Sequence, residues 1–176
     1  MINNLKLILY FKILQMNLKE IKDYPNYSLD LNTNNIYNTK FNRILSIGIR
    51  NNYNYVKLYK NGNKKLFSLH RLIYETYYGE IPQGMLIDHI DNNKQNNNID
   101  NLRLANHSEN TCNNSKTNSN TGYKNISFIK KYNKYRVNIK KNDKIAYQKL
   151  FKTLEEAIEN RNIQLVLIHG EFYNLG

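Results

Sequence analysis

Asp88, His89 and Asn110 bracket the stretch LIDHIDNNKQNNNIDNLRLANHSEN, bringing a carboxylate, an imidazole and a carboxamide into one short segment. Hydrolysis of a phosphodiester needs an activated water, relief of charge on the phosphoryl oxygens and help for the departing sugar oxygen. A hard divalent ion supplies the last two; it prefers oxygen ligands and keeps positions open for phosphate and water. Asp88 and Asn110 offer such oxygens, and His89, with an ordinary pKa near ~6.5, is a suitable general base at physiological pH. Neighbours on a regular strand point to opposite faces, so Asp88 and His89 can serve one site only where the strand twists into a loop. Asn101 lies within that loop, where its amide is expected to bond across to the His89 backbone and orient the site without holding the metal. The competing view is an ordinary polar loop. Asn, Lys, Ile and Tyr are all encoded by A/T-rich codons, so each asparagine has to be justified by its position.

The elements that must position these residues are readable in outline. Residues 85–90 and 101–105 have the character of two short strands joined by a long polar loop. A helix follows, with Asn106 capping its first turn and Glu109 reaching back to the Asn106 N–H. Upstream, LHRLIYETYY puts Leu69, Leu72, Ile73 and Thr76 on one helical face, with Ser68 as N-cap and Gly79 as stop. Residues 18–67 form a β-rich module of NYSLDL, RILSIGI and NYVKLYKNGNKKLFSL, whose Asn61-Gly62 pair accepts the positive φ angles of a tight hairpin.

Together these features resemble the HNH endonuclease family, in its homing and phage branch with the pattern DHIDxNKxNNxxxNLRxxxxxEN. The resemblance implies a ββα-metal fold, with Asp88 and Asn110 as metal ligands, His89 as general base and Asn101 as the loop-bracing residue. LHRLIYETYYGEIP, with His70 and Arg71, is similar to the family's lead-in helix, and EIKDYPNYSLDLNTNNIYN to a module found at the start of such enzymes. The chain departs at Asn92, where the family commonly has Gly; Asn tolerates a left-handed conformation, so the turn is expected to persist.

NNSKTNSNTG has little to bury and reads as a linker at 113–121. Beyond it, YKNISFIKK, KYRVNIKKN and KIAYQKLF predict three strands. A helix is expected over 154–169, opened by a Thr153/Glu156 capping box, striped by Leu154, Ala157, Ile158, Leu165 and Ile168, and closed by Gly170. This segment, 122–176, resembles the Apetala/ethylene-response-factor DNA-binding domain, which lays a three-stranded sheet in the major groove. Strand parity puts Arg136, Asn138 and Lys140 on one face and Tyr135, Val137 and Ile139 on the other. Arg and Asn suit guanine and adenine edges, and Lys124, Lys130, Lys134 and Tyr147 are expected to add backbone contacts. Arg71 and Arg103 complete the expected DNA contacts. A Trp that some family forms carry near the position of Tyr135 is absent, so base-by-base specificity does not transfer.

The expected fold class is α+β: an extension over 1–17, the β-rich module over 18–67, a nuclease core over 68–112, the linker and the C-terminal domain. Across 176 residues the formal net charge is +12, interleaved with tyrosines, which favours a polyanionic partner. The single cysteine, Cys112, excludes an internal disulfide and fits a reducing, intracellular setting; it is assigned no chemistry. The opening MINNLKLILYFKIL is too short to span a bilayer and lacks a cleavage site, so no membrane association is expected, and Met16 is an alternative start. His70 reads as a packing residue, His107 as a cap or phosphate contact, and His169 as a cation favoured at a helix C-terminus.

The leading expectation is a metal-dependent endonuclease acting on double-stranded DNA with Mg2+ or Mn2+, and one site with one appended reader suggests a monomer. The alternative is a catalytically inactive DNA-binding protein or regulator. An RNA-binding protein would explain the tyrosines but leave the spaced Asp, His and Asn unexplained.

Overall fold

Asparagine makes most of the turns. In the computed structural model, which describes residues 16–113 and 117–173, nine asparagines, together with Asp23 and Asp143, adopt positive φ. Three consecutive left-handed pairs each close a two-residue hairpin: Asn51-Asn52 between β5 (Gly48–Arg50) and β6 (Tyr53–Lys60), Asn61-Gly62 between β6 and β7 (Asn63–Ser68), and Asn142-Asp143 between β11 (Lys134–Lys141) and β12 (Lys144–Phe151). Asn, Asp and Gly pay the least for φ > 0, and turns of this hand match the twist of the flanking strands. The apolar opening over 1–15 and residues 114–116 of the expected linker lie outside the described residues.

The chain divides into two compact units, the first running to Pro82 and taking in Asn93–Leu102, the second made of Gln83–Asn92 and the chain from Arg103 onward. In the first, β1 (Leu18–Ile21), β2 (Tyr24–Asp30), β3 (Ile36–Asn38) and β4 (Arg43–Ile44) form an antiparallel sheet in that order, and β5, β6 and β7 form another. The stretch RILSIGI, expected as one strand, is therefore shared between two sheets, as β4 and β5. Helix α1 (Leu69–Tyr78) buries Leu69, Leu72, Ile73 and Thr76 in the unit that also buries Leu29, Ile36, Val56 and Leu58. Ser68 holds the N-cap position without a side-chain cap bond, and Gly79 ends the helix at φ 93°. The loop after residue 92 reaches the 3-10 turn Ile99–Asn101, whose entry Asn98 caps by accepting from the Asp100 N–H.

In the second unit β8 (Leu86–His89) and β9 (Leu102–Ala105) make a two-stranded sheet, followed by the short helix α2 (His107–Asn113). The capping box is complete: Asn106 Oδ1 accepts from Glu109 N at 2.9 Å, and Glu109 Oε2 accepts from Asn106 N at 2.7 Å. β10 (Ile126–Ile129), β11 and β12 form an antiparallel sheet backed by α3 (Leu154–His169), which opens on the Thr153/Glu156 box. Val137 and Ile139 are completely buried with Ile126, Ala157 and Leu165, as strand parity required. Arg161 is the exception on this helix. Its guanidinium is buried, reaches the Lys124 carbonyl and lies over the Tyr123 ring, and burial pulls its pKa down.

Candidate active site

The strand β8 ends on two buried ionisable residues, Asp88 and His89, each only 5% exposed. A carboxylate withdrawn from water needs charged or hydrogen-bonding partners. Arg103, on β9, provides a charge: its Nε donates to Asp88 Oδ2 at 3.0 Å, and its Nη2 stands 2.9 Å from the same oxygen. The second partner comes from α2. Asn113, 2% exposed, directs Nδ2 to Asp88 Oδ1 at 3.1 Å and Oδ2 at 3.0 Å, and the same nitrogen lies 2.8 Å from the His89 carbonyl oxygen.

Asn113 was not among the expected residues. The sequence signal for it is spacing: it lies three residues beyond Asn110, so the two share a helical face. Asn110 itself is half-buried in the middle of that helix, with its backbone N–H bonded to the Asn106 carbonyl. Asn113 thus holds the His89 backbone through its carbonyl. Asn101 Nδ2 donates to the Asn96 carbonyl at 2.8 Å, tying the loop to itself within the first unit. Asn92, at φ 61°, keeps the turn where glycine is usual. Its N–H bonds the His89 carbonyl and its Nδ2 donates to the Asn113 carbonyl at 2.9 Å.

The donor set fits a hard ion. One carboxylate and neutral carboxamides suit a divalent cation that retains water, whereas no group of three His, Cys, Asp or Glu residues that could cage a metal occurs among the described residues.

The other expected DNA contacts are distributed unevenly. Arg71 is partly exposed on α1 and 3.9 Å from Glu75. Lys130 and Lys140 are exposed, while Lys134, Arg136 and Asn138 are half-buried; Arg136 Nε and Asn138 Oδ1 are buried without a hydrogen-bond partner. Tyr147 departs from the expected placement. It pairs across from Ile139 and packs on the core, because alternate residues of β12 face the helix. Lys124 departs as well: its Nζ donates to the Thr111 and Cys112 carbonyls, capping the end of α2. That ammonium, Cys112 and His169 line a cavity of about 260 Å³. The Cys112 sulfur is 3.2 Å from His169 Nδ1. Burial pushes the thiol pKa up, and burial followed by Lys141 and Lys124 pushes the imidazole down, so His169 is held towards its neutral form rather than the expected cation.

Residues 67–112 match the family described as HNH endonuclease. An uncharacterized HNH endonuclease of Acanthamoeba polyphaga mimivirus is 36% identical over 120 residues, covering 68% of this chain and 34% of that protein. DNA endonuclease I-HmuI of Bacillus phage SP01 is 35% identical over 89 residues, 50% of this chain and 51% of that one. A solved structure described as DNA binding and cleavage by the HNH homing endonuclease I-HmuI superposes with a TM-score of 0.50 at 33% identity, over 55% of this chain and 56% of the other. The chain spans about half, or less, of the length of these relatives. Residues 67–112 are thus similar in sequence to an HNH endonuclease domain, within a chain whose fold is similar over about half its length to that of an HNH homing endonuclease.

Proposed function

We propose that the protein is a site-directed DNA endonuclease of the HNH homing type, and that Asp88, His89 and Asn110 perform the hydrolysis. The observation that carries this reading is the meeting of Asn113, at the end of the helix that carries Asn110, with the Asp88 carboxylate and the His89 carbonyl at the edge of the matched segment 67–112. Asp88 and Asn110 hold a divalent cation, magnesium or manganese, which when bound neutralises charge on the scissile phosphate and its leaving oxygen. His89 accepts the proton of the attacking water, and the carbonyl bonds from Asn113 and Asn92 fix the backbone on which that imidazole is mounted. Asn101 stiffens the loop. Double-stranded DNA is the substrate, in agreement with the +12 formal charge and with the DNA-cleaving relative.

The three-stranded sheet over 122–176 serves as the reader, on the pattern of an Apetala/ethylene-response-factor domain. Arg136 and Asn138 lie two residues apart on one strand, side-chain types suited to guanine and adenine edges, and Lys130, Lys134 and Lys140 supply phosphate contacts. The proposed organisation is a β-rich module, the nuclease core and this reader, working as a monomer.

Cleavage of supercoiled plasmid and candidate target DNA in magnesium or manganese tests the reading. His89→Ala and Asn110→Ala should each cut at least about 100-fold more slowly while retaining DNA binding, the loss expected on removing a general base or a metal ligand. Wild-type protein that binds DNA tightly and cuts none would favour a DNA-binding regulator instead.

A further inference from the structure

The turn that follows α3 reaches Arg103. This 3-10 turn (Gly170–Phe172) brings the Glu171 carbonyl to Arg103 Nη1 and lays the Phe172 ring 4.2 Å from the guanidinium carbon. The same guanidinium donates to Asp88 Oδ2 through Nε, with Nη2 2.9 Å from that oxygen, and only 12% of the Arg103 side chain is exposed. Arg103 is therefore clamped on three sides, by a carbonyl, an aromatic face and a carboxylate. A planar guanidinium can meet all three at once because its donors lie in the plane and its face is free to stack.

We infer that Arg103 is a positioning residue for Asp88, and that the C-terminal turn, through Phe172 and Glu171, sets the orientation of the carboxylate that holds the metal. This rests on the proposed role of Asp88 as a ligand. An ionised carboxylate has about four acceptor positions. Arg103 occupies Oδ2 from one side and Asn113 spans both oxygens, which leaves Oδ1 with room for a cation while the carboxylate plane is held. Without the stack on Phe172, the long Arg103 side chain regains rotamer freedom, and Asp88 loses the contact that selects one orientation.

The test is Mn2+ binding to the full chain, read from the electron paramagnetic resonance signal of free Mn2+, alongside the metal dependence of plasmid cleavage. Phe172→Ala should raise the half-saturating Mn2+ concentration about tenfold, whereas Phe172→Tyr, which keeps the ring, should bind as wild type does. Arg103→Lys keeps the charge but loses the fork and the flat face, and should show the same tenfold shift, giving an independent arm if Phe172→Ala fails to fold. In cleavage, both weakened variants should recover towards the wild-type rate at high metal. Wild-type half-saturation in Arg103→Lys or in folded Phe172→Ala would overturn the inference and leave the nuclease reading intact. Wild-type binding that is unchanged by Asp88→Asn would overturn the ligand assignment and the inference with it.

Discussion

At the scale of single residues, the candidate site depends on the partners that surround the buried Asp88 carboxyl. Arg103 supplies an opposite charge, and Asn113 supplies neutral donors that also hold the His89 carbonyl. Removing Asn113 leaves buried acceptors short of a donor, an effect worth about 1–3 kcal/mol. Asn113→Ala should lower the unfolding free energy by that amount in urea titrations. Asn113→Asp should cost more at neutral pH, because it sets a second carboxylate against Asp88. Equal stability of Asn113→Ala and wild type would mean that water replaces the amide, and that Asn113 is not a structural keystone of this site.

At the scale of elements, α2 is the shortest of the described α-helices and carries Asn110 and Asn113. A helix of seven residues has few internal bonds, so its ends decide whether it forms. At the front, Asn106 and Glu109 satisfy each other's N–H groups; at the back, the Lys124 ammonium takes the Thr111 and Cys112 carbonyls. Asn106→Ala removes the Asn106 acceptor and is expected to cost about 1 kcal/mol of stability. Since Asn110 and Asn113 ride on this helix, the rate of DNA cleavage should fall by more than the global stability loss implies. Protection of the α2 amides in hydrogen exchange should drop selectively, and protection lost uniformly across the protein would contradict this localisation. The α3 helix, with sixteen residues and its own capping box, provides the firmer support, through the turn that reaches Arg103.

At the scale of the whole molecule, the formal charge of +12 predicts DNA binding that weakens steeply with salt. With six or more phosphates neutralised, affinity should fall about 10³-fold between 50 and 200 mM salt, measured by fluorescence anisotropy on a duplex; a change below tenfold would assign binding to something other than phosphate contacts. The amino-acid sequence by itself determined the turns, the caps and the core parity: Asn61-Gly62 had to bend, Asn106 and Thr153 had to cap, and Val137 and Ile139 had to face α3, because these follow from local dihedral preference and from strand and helix periods. It also singled out Asp88, His89 and Asn110 by type and spacing. Only the tertiary structure decided that RILSIGI divides between two sheets, that Tyr147 faces inward, that Lys124 caps α2, that His169 is held towards neutrality beside Cys112, and that Arg103 and Asn113 meet at Asp88. Those outcomes depend on which distant segment covers a side chain and which partner it then finds. Burial and pairing of that kind are products of long-range packing, which no local spacing encodes.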